Sequence, residues 1–149
     1  IESGYRPFLY GKGWSGISEY SSISKEEVSH GSSLENVYNE TKINLHMHPY
    51  TTTHQRVFEA IASGGFLLIK HIEPRKDLNP LVRYLSEGEG FVFFYNRSDL
   101  LKKVQFYLAN DDKRVEIINR GREKVLGSFT YQRAVQFILE TVIKRYTKI

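Results

Sequence analysis

The sequence predicts an α/β fold, a doubly wound parallel sheet of the Rossmann-like type, with extra helices in the C-terminal part of the chain. The first observation is that strand and helix patterns alternate through the first two thirds of the chain. The second is that residues 66–69 and 90–95 are continuous apolar runs, which suit strands buried on both faces. The third is an apolar repeat of helical period from residue 98 onward. Alternation of this kind produces parallel sheets with right-handed crossovers.

The predicted elements follow one another with short connections. We expect a strand at 7–10, a Ser-rich loop at 15–33 with at most a short helix at 25–29, a helix at 34–39 capped by Ser33, and a strand at 43–48. A helix at 53–63, a strand at 66–69, a short helix at 77–85 and a strand at 90–95 come next. Ser98, Asp111 or Asp112, and Thr130 begin three further helices whose apolar faces we expect to pack.

Composition limits the classes of function. With 149 residues and 40% hydrophobic content, the chain can bury one sizeable core, so we expect a single domain over 1–149. Lys and Arg number 21 against 17 Asp and Glu, and they are scattered, which predicts a small anionic ligand and no nucleic-acid partner. The chain has no Cys, no initiating Met and no secretory signal. We therefore expect a cytoplasmic protein, of which this chain is one piece.

The start of the helix at 53–63 predicts an anion site. Thr52 and Gln55 have the spacing of a capping box, which would leave the amides of Thr53 and His54 free at the positive end of the helix dipole. Arg56 adds a forked donor that suits phosphate oxygens.

Glu59 follows one turn later on the face of Gln55, where a carboxylate can accept hydrogen bonds from sugar hydroxyls. The alternative is an ordinary amphipathic helix in which Arg56 and Glu59 are solvated or form an i,i+3 pair. Taken alone, this segment favours the alternative.

Three histidines raise a metal hypothesis, because His46 and His48 share one face of a strand and His54 follows closely. No Cys or carboxylate lies near them in sequence. We therefore expect no metal site and interpret these histidines as structural or as part of the ligand site. A metal-dependent hydrolase ranks third among the functions considered.

A longer succession of residues resembles a known family. It consists of Leu9-Tyr10-Gly11-Lys12-Gly13-Trp14, Asn36-Val37-Tyr38-Asn39, Ile43-Asn44-Leu45-His46, Arg56-Val57-Phe58-Glu59-Ala60 with Gly64-Gly65, Gly121-Arg122, Thr130-Tyr131 and Arg133. In order and spacing, these resemble the C-terminal domain of group-1 GT-B glycosyltransferases, in the branch that includes spore-maturation-type proteins. The resemblance covers about residues 8–146.

The resemblance implies the donor-binding half of a retaining, hexosyltransferase-like enzyme of glycan biosynthesis. Such an enzyme transfers a sugar from a nucleotide diphosphate sugar to an acceptor, here an unknown glycan, lipid or protein. It further implies no cofactor, an acceptor site on a missing N-terminal domain, and no activity in the isolated chain.

The resemblance also assigns residues. Glu59 matches the glutamate that holds the donor ribose, and Arg56 is assigned to phosphate binding. The turn that faces the diphosphate corresponds to Thr53, His54 and Gln55, and the base rests near His30 and Gly31. One departure is Thr51, which stands where many group-1 enzymes carry a second acidic residue. That departure favours the alternative of a non-enzymatic nucleotide- or phosphosugar-binding module.

Overall fold

The computed structural model describes residues 4, 5 and 7–146. The backbone forms two compact units, Ile1–Val37 and Tyr38–Ile149. The single domain expected over 1–149 stays a prediction.

The first unit contains a small parallel pair of strands. β1 is Leu9–Tyr10 and β2 is Ser24–Lys25, with Leu9 opposite Ser24. Two 3-10 turns, Trp14–Gly16 and Ser21–Ile23, lie between them. The short helix considered at 25–29 does not form, because residues 24–25 pair with β1 and residues 26–29 are irregular.

Helix α1, Ser32–Glu40, begins in the first unit and ends in the second. The second unit contains a three-stranded parallel sheet in the order β3-β4-β5, where β3 is Asn44–His46, β4 is Leu67–Lys70 and β5 is Phe91–Phe94. Helix α2, Gln55–Ala62, joins β3 to β4. The predicted α/β fold with a parallel sheet is confirmed.

Three helices follow the sheet. α3 is Arg97–Ala109, α4 is Asp111–Ser128 and α5 is Tyr131–Tyr146. Asn96 caps α3 by accepting from the Asp99 amide at 2.9 Å, so the predicted cap at Ser98 is wrong by two residues. The predicted cap of α5 is confirmed, since Thr130 Oγ1 accepts from the Arg133 amide at 3.2 Å.

Both faces of the sheet are covered, as continuous apolar strands require. On one face, alternate residues of β4 and β5 pack against α2 and α4; this layer contains Val57, Ala60, Ile61, Leu67, Ile69, Phe91, Phe93 and Val125. The other face packs against α3 and the first half of α4; this layer contains Phe66, Leu68, Val92, Phe94, Leu100, Val104, Tyr107, Ile117 and Ile118.

Helix α5 differs from the expectation, because all its residues are exposed and none joins either apolar layer. The predicted packing of its apolar face is therefore wrong for the described part of the chain. Among residues 4, 5 and 7–146, no helix has the length and apolar character needed to cross a membrane.

The helix predicted at 77–85 is also wrong, since only a 3-10 turn, Leu81–Arg83, forms there. Pro80 has no amide hydrogen and disfavours helical backbone at Asn79. The Asp77 carboxylate instead accepts from the Asn79 amide at 3.1 Å, which closes an Asx turn. Leu81 and Leu85 nevertheless enter the core, so the apolar spacing predicts burial correctly but not helix.

Candidate functional site

The candidate site lies at the carboxyl edge of the three-stranded sheet, where β3 ends at His46 and α2 begins at Gln55. Ligands of open parallel sheets bind at this edge, in the crevice outside the strand ends. The segment 47–54 joins the two elements and carries the threonines and two of the histidines that the sequence singles out.

His54, not Thr52, is the N-cap of α2. Its backbone is extended, with φ −140° and ψ 149°, and its Nδ1 accepts from the Arg56 amide at 3.2 Å. The helix therefore begins two residues after the predicted start at 53. The predicted capping box between Thr52 and Gln55 is wrong, because both side chains are engaged elsewhere.

Thr52 is buried against the segment that follows β4. Its hydroxyl donates to Asp77 Oδ2 at 2.5 Å and accepts from the Leu81 amide at 2.9 Å. The Thr52 amide also donates to the Asp77 carboxylate at 3.2 Å. Thr52 thus fixes the loop before α2 rather than the first turn of the helix.

The neighbouring threonines belong to the same junction. Thr51 Oγ1 lies 3.0 Å from the Asn79 carbonyl oxygen, and it accepts from the Thr53 amide at 3.1 Å. That amide also lies 3.3 Å from the Asn79 carbonyl, so it is not free to bind an anion as predicted. The Thr53 hydroxyl is buried and has no hydrogen-bond partner among the described residues.

The first two turns of α2 bring three of the predicted site residues together. Gln55 Nε2 donates to Glu59 Oε1 at 2.6 Å, which orients the half-buried carboxylate. Burial raises the pKa of Tyr38, with Arg56 acting to lower it and Glu59 acting to raise it. Arg56 and Glu59 thus act on the Tyr38 hydroxyl with opposite charges. Within the described chain they form no ion pair with each other.

The rings of the three histidines lie close to one another. The His54 ring centroid is 6.0 Å from that of His46 and 5.8 Å from that of His48, with interplanar angles of 38° and 32°. Burial, with the neighbouring His54, His48 and Arg56, lowers the pKa of His46 to about 4. The His46 Nε2 atom is buried without a partner in the part of the chain described. In that same part, no group of three or more His, Asp or Glu side chains is arranged to hold a metal ion.

His30 and Gly31 belong to the first unit. Gly31 has φ +89°, and its carbonyl accepts from the Glu35 amide at 3.0 Å, which leads the chain into α1. His30 is exposed. Their assignment to the base stays a prediction.

Two residues of the site region were missed or undervalued from sequence. The helix predicted at 77–85 misplaces Asp77, although Asp-x-Asn-Pro at 77–80 is a turn signature that predicts a loop. Tyr38 has no role in the predicted site, although Arg56 and Glu59 act on the pKa of its hydroxyl in opposite directions.

The covered parallel sheet with a helix start at its carboxyl edge defines the Rossmann-like class of ligand-binding α/β proteins. Residues 2–140 match the family described as "Glycosyl transferase-like", and the chain belongs to this family. No curated protein matches the chain.

Two solved structures are similar in fold. A glycosyltransferase from Rickettsia africae matches 85% of this chain at 14% identity, with a TM-score of 0.65. Sucrose-phosphate synthase from Thermosynechococcus elongatus matches 89% at 15% identity, with a TM-score of 0.68. This chain spans 33% of the length of each. At these identities the likeness concerns the fold alone, which is the Rossmann-like fold of GT-B glycosyltransferases.

Proposed function

We propose that this chain is the donor-binding half of a retaining glycosyltransferase. The full protein would transfer a sugar from a nucleotide diphosphate sugar to a glycan, lipid or protein acceptor. The observation that carries the proposal is the start of α2 at the carboxyl edge of the sheet, where the exposed Arg56 and the half-buried Glu59 follow the helix N-terminus within its first two turns.

In this proposal the diphosphate lies at the N-terminus of α2. The helix dipole and the exposed Arg56 supply positive charge there, and Gln55 lies in the same turn. As the sugar bond breaks, negative charge develops on the departing diphosphate. Fixed positive groups stabilise that charge without reorganisation, which lowers the barrier.

Glu59 would bind the donor ribose. Its carboxylate is held from one side by Gln55 Nε2, so its remaining lone pairs have a defined direction. A carboxylate accepting from two adjacent hydroxyls forms charge-assisted hydrogen bonds, which are stronger than neutral ones. Thr53 and His54 would shape the approach to the diphosphate, and His30 with Gly31 would contact the base.

The remainder of the enzyme would lie outside this chain. We place the acceptor site on an N-terminal domain, with the whole of 1–149 acting as one donor-binding domain in the cytoplasm. The isolated chain would then lack transferase activity, because a GT-B active site lies between two domains. The chain spans a third of the length of the two similar structures, which supports this proposal.

One observation favours the second candidate, a nucleotide- or phosphosugar-binding module without catalysis. Thr51 occupies the position of the second acidic residue of many group-1 enzymes, and its hydroxyl is bound to backbone carbonyl and amide groups of Thr53 and Asn79. It is therefore a structural residue of the loop. Assaying the full-length protein for sugar transfer or donor hydrolysis separates the two candidates.

Glu59→Gln tests the donor site itself. The substitution keeps the size of the side chain and can still pair with Gln55, so we expect a folded protein whose affinity for a nucleoside diphosphate falls by about 1–3 kcal/mol. The loss should largely disappear with the 2′,3′-dideoxy nucleotide, which has no hydroxyls to donate. Glu123→Gln, at an exposed position of α4, is the matched control and should bind like the native chain. Equal calorimetric affinity of the native and Glu59→Gln proteins would remove Glu59 from the site.

A further inference from the structure

The cap of α2 is made by an unusual residue. Ser, Thr, Asp and Asn are the common N-caps, because each offers an oxygen acceptor at any pH above the carboxylate range. Here the acceptor is Nδ1 of His54, 3.2 Å from the Arg56 amide nitrogen. A ring nitrogen accepts only while it carries no proton, so this cap requires a neutral imidazole with its proton on Nε2.

His48 repeats this arrangement at the end of β3. Its Nδ1 lies 3.3 Å from the Tyr50 amide nitrogen, also two residues further along the chain. The His54 ring centroid lies 6.0 Å from that of His46 and 5.8 Å from that of His48, with the rings tilted to one another. The ring that caps α2 is thus bonded to its own backbone turn and has the rings of His46 and His48 as neighbours.

Several titratable and charged groups lie near His54. His46 and His48 face it from the end of β3, and Arg56 lies on the helix that it caps. Of the acidic residues in this region, Glu59 accepts a hydrogen bond from Gln55, and Asp77 accepts one from Thr52. No carboxylate among the described residues forms an ion pair with His54.

We infer that His54 is a positioning residue of the donor site and that it acts only as a neutral imidazole. The inference rests on the proposed function for the identity of the ligand. A proton on Nδ1 replaces the acceptor by a donor, so the Arg56 amide loses its partner and the first turn of α2 loses its cap. That turn carries the groups proposed to hold the diphosphate, and nucleotide binding therefore weakens on acidification.

Asn is the substitution that separates this role from a merely structural one. Its side-chain oxygen caps a helix and does not titrate, so His54→Asn keeps the cap at every pH. His54→Ala removes the cap at every pH. His71→Asn is the matched control, since His71 packs on Phe93 and Tyr95 and makes no contact with the cap.

Calorimetry with one nucleoside diphosphate at pH 7.5 and pH 5.5 measures the effect. The ligand's own phosphate titrates in this range, but equally for all proteins, so the informative quantity is the ratio of affinities between proteins. Between the two pH values we expect the native chain and His71→Asn to lose about fivefold more affinity than His54→Asn, as the free energy of one cap implies. His54→Ala should bind weakly at both.

A second measurement needs no ligand. The ¹⁵N chemical shifts of the His54 ring should show a protonated Nε2 and a bare Nδ1 at pH 7.5, and the Arg56 amide should exchange faster once the ring is protonated. A protonated Nδ1 at pH 7.5, or the same pH response in His54→Asn as in the native chain, would overturn the inference. Absence of binding by all four proteins at both pH values would overturn the proposed function. The ring shifts and amide exchange would then still test whether His54 caps α2 only as a neutral imidazole.

Discussion

The Thr52 hydroxyl donates a 2.5 Å hydrogen bond to Oδ2 of Asp77, across 25 positions of the chain. This pair joins the loop before α2 to the segment after β4, and the Leu81 amide completes the junction by donating to the same hydroxyl. The start of α2 therefore depends on a residue that local sequence does not connect to it.

Thr52→Val should destabilise the protein. Valine has the same shape but cannot bind Asp77 or accept from the Leu81 amide, so two buried polar groups lose a partner. We expect the free energy of unfolding to fall by about 1–3 kcal/mol, measured by urea denaturation. Thr53→Val is the matched control: its hydroxyl is buried without a partner in the described chain, so its removal should be neutral or stabilising. An equal effect of both substitutions would contradict this account of the junction.

Two glycines of α4 should respond to alanine in opposite directions. A Cβ at Gly121 would lie 2.5 Å from Gly90 Cα and 2.7 Å from the Glu89 carbonyl carbon, and backbone cannot move aside as a side chain can. We expect Gly121→Ala to cost about 3 kcal/mol or more. A Cβ at Gly127 meets nothing within 4 Å, so Gly127→Ala should stabilise by about 0.5–1 kcal/mol through helix propensity. Thermal unfolding of the two variants compares them directly, and similar melting temperatures would show that α4 does not approach Gly90 closely.

His46 should make stability depend on pH. Its folded-state pKa of about 4 lies below the ordinary value of 6.5, so the unfolded chain binds the proton more tightly. The contribution of neutral His46 to the free energy of unfolding is fully present above pH 6.5 and is lost as the pH falls toward 4. Between pH 7 and 5 we expect a loss of about 1 kcal/mol, after a reduction for the partial exposure of the ring. His46→Gln, compared by urea denaturation at both pH values, should lose less than the native chain; an equal loss would assign the pH dependence to other groups.

A nucleoside diphosphate should bind without a divalent metal. The N-terminus of α2 and Arg56 already supply positive charge for the phosphates, and the described residues contain no cluster suited to hold a metal ion. Calorimetric titrations with and without a chelator should therefore give the same affinity. Binding that disappears when the chelator is added would show that the phosphates need a cation as well.

The sequence predicts best where local patterns decide the structure. The apolar runs of β4 and β5 place both strands within one residue, and the Gly64-Gly65 pair marks the end of α2, where Gly64 has φ +85°. The cap of α2 could not be predicted, because three consecutive threonines and a histidine all offer an acceptor. Asp77 decides between them by engaging Thr52, and only the folded chain brings these residues together.

The two apolar layers of the sheet restrict how this sequence can change. In β5, Phe91 and Phe93 enter one layer while Val92 and Phe94 enter the other, so the deletion of one residue would send each side chain to the wrong face. Replacing one apolar residue by another changes only the local fit. The register of the strand is therefore constrained more strictly than the choice of apolar residue at each position. Chains of this architecture can differ at most positions and keep the fold, provided that each strand keeps its register.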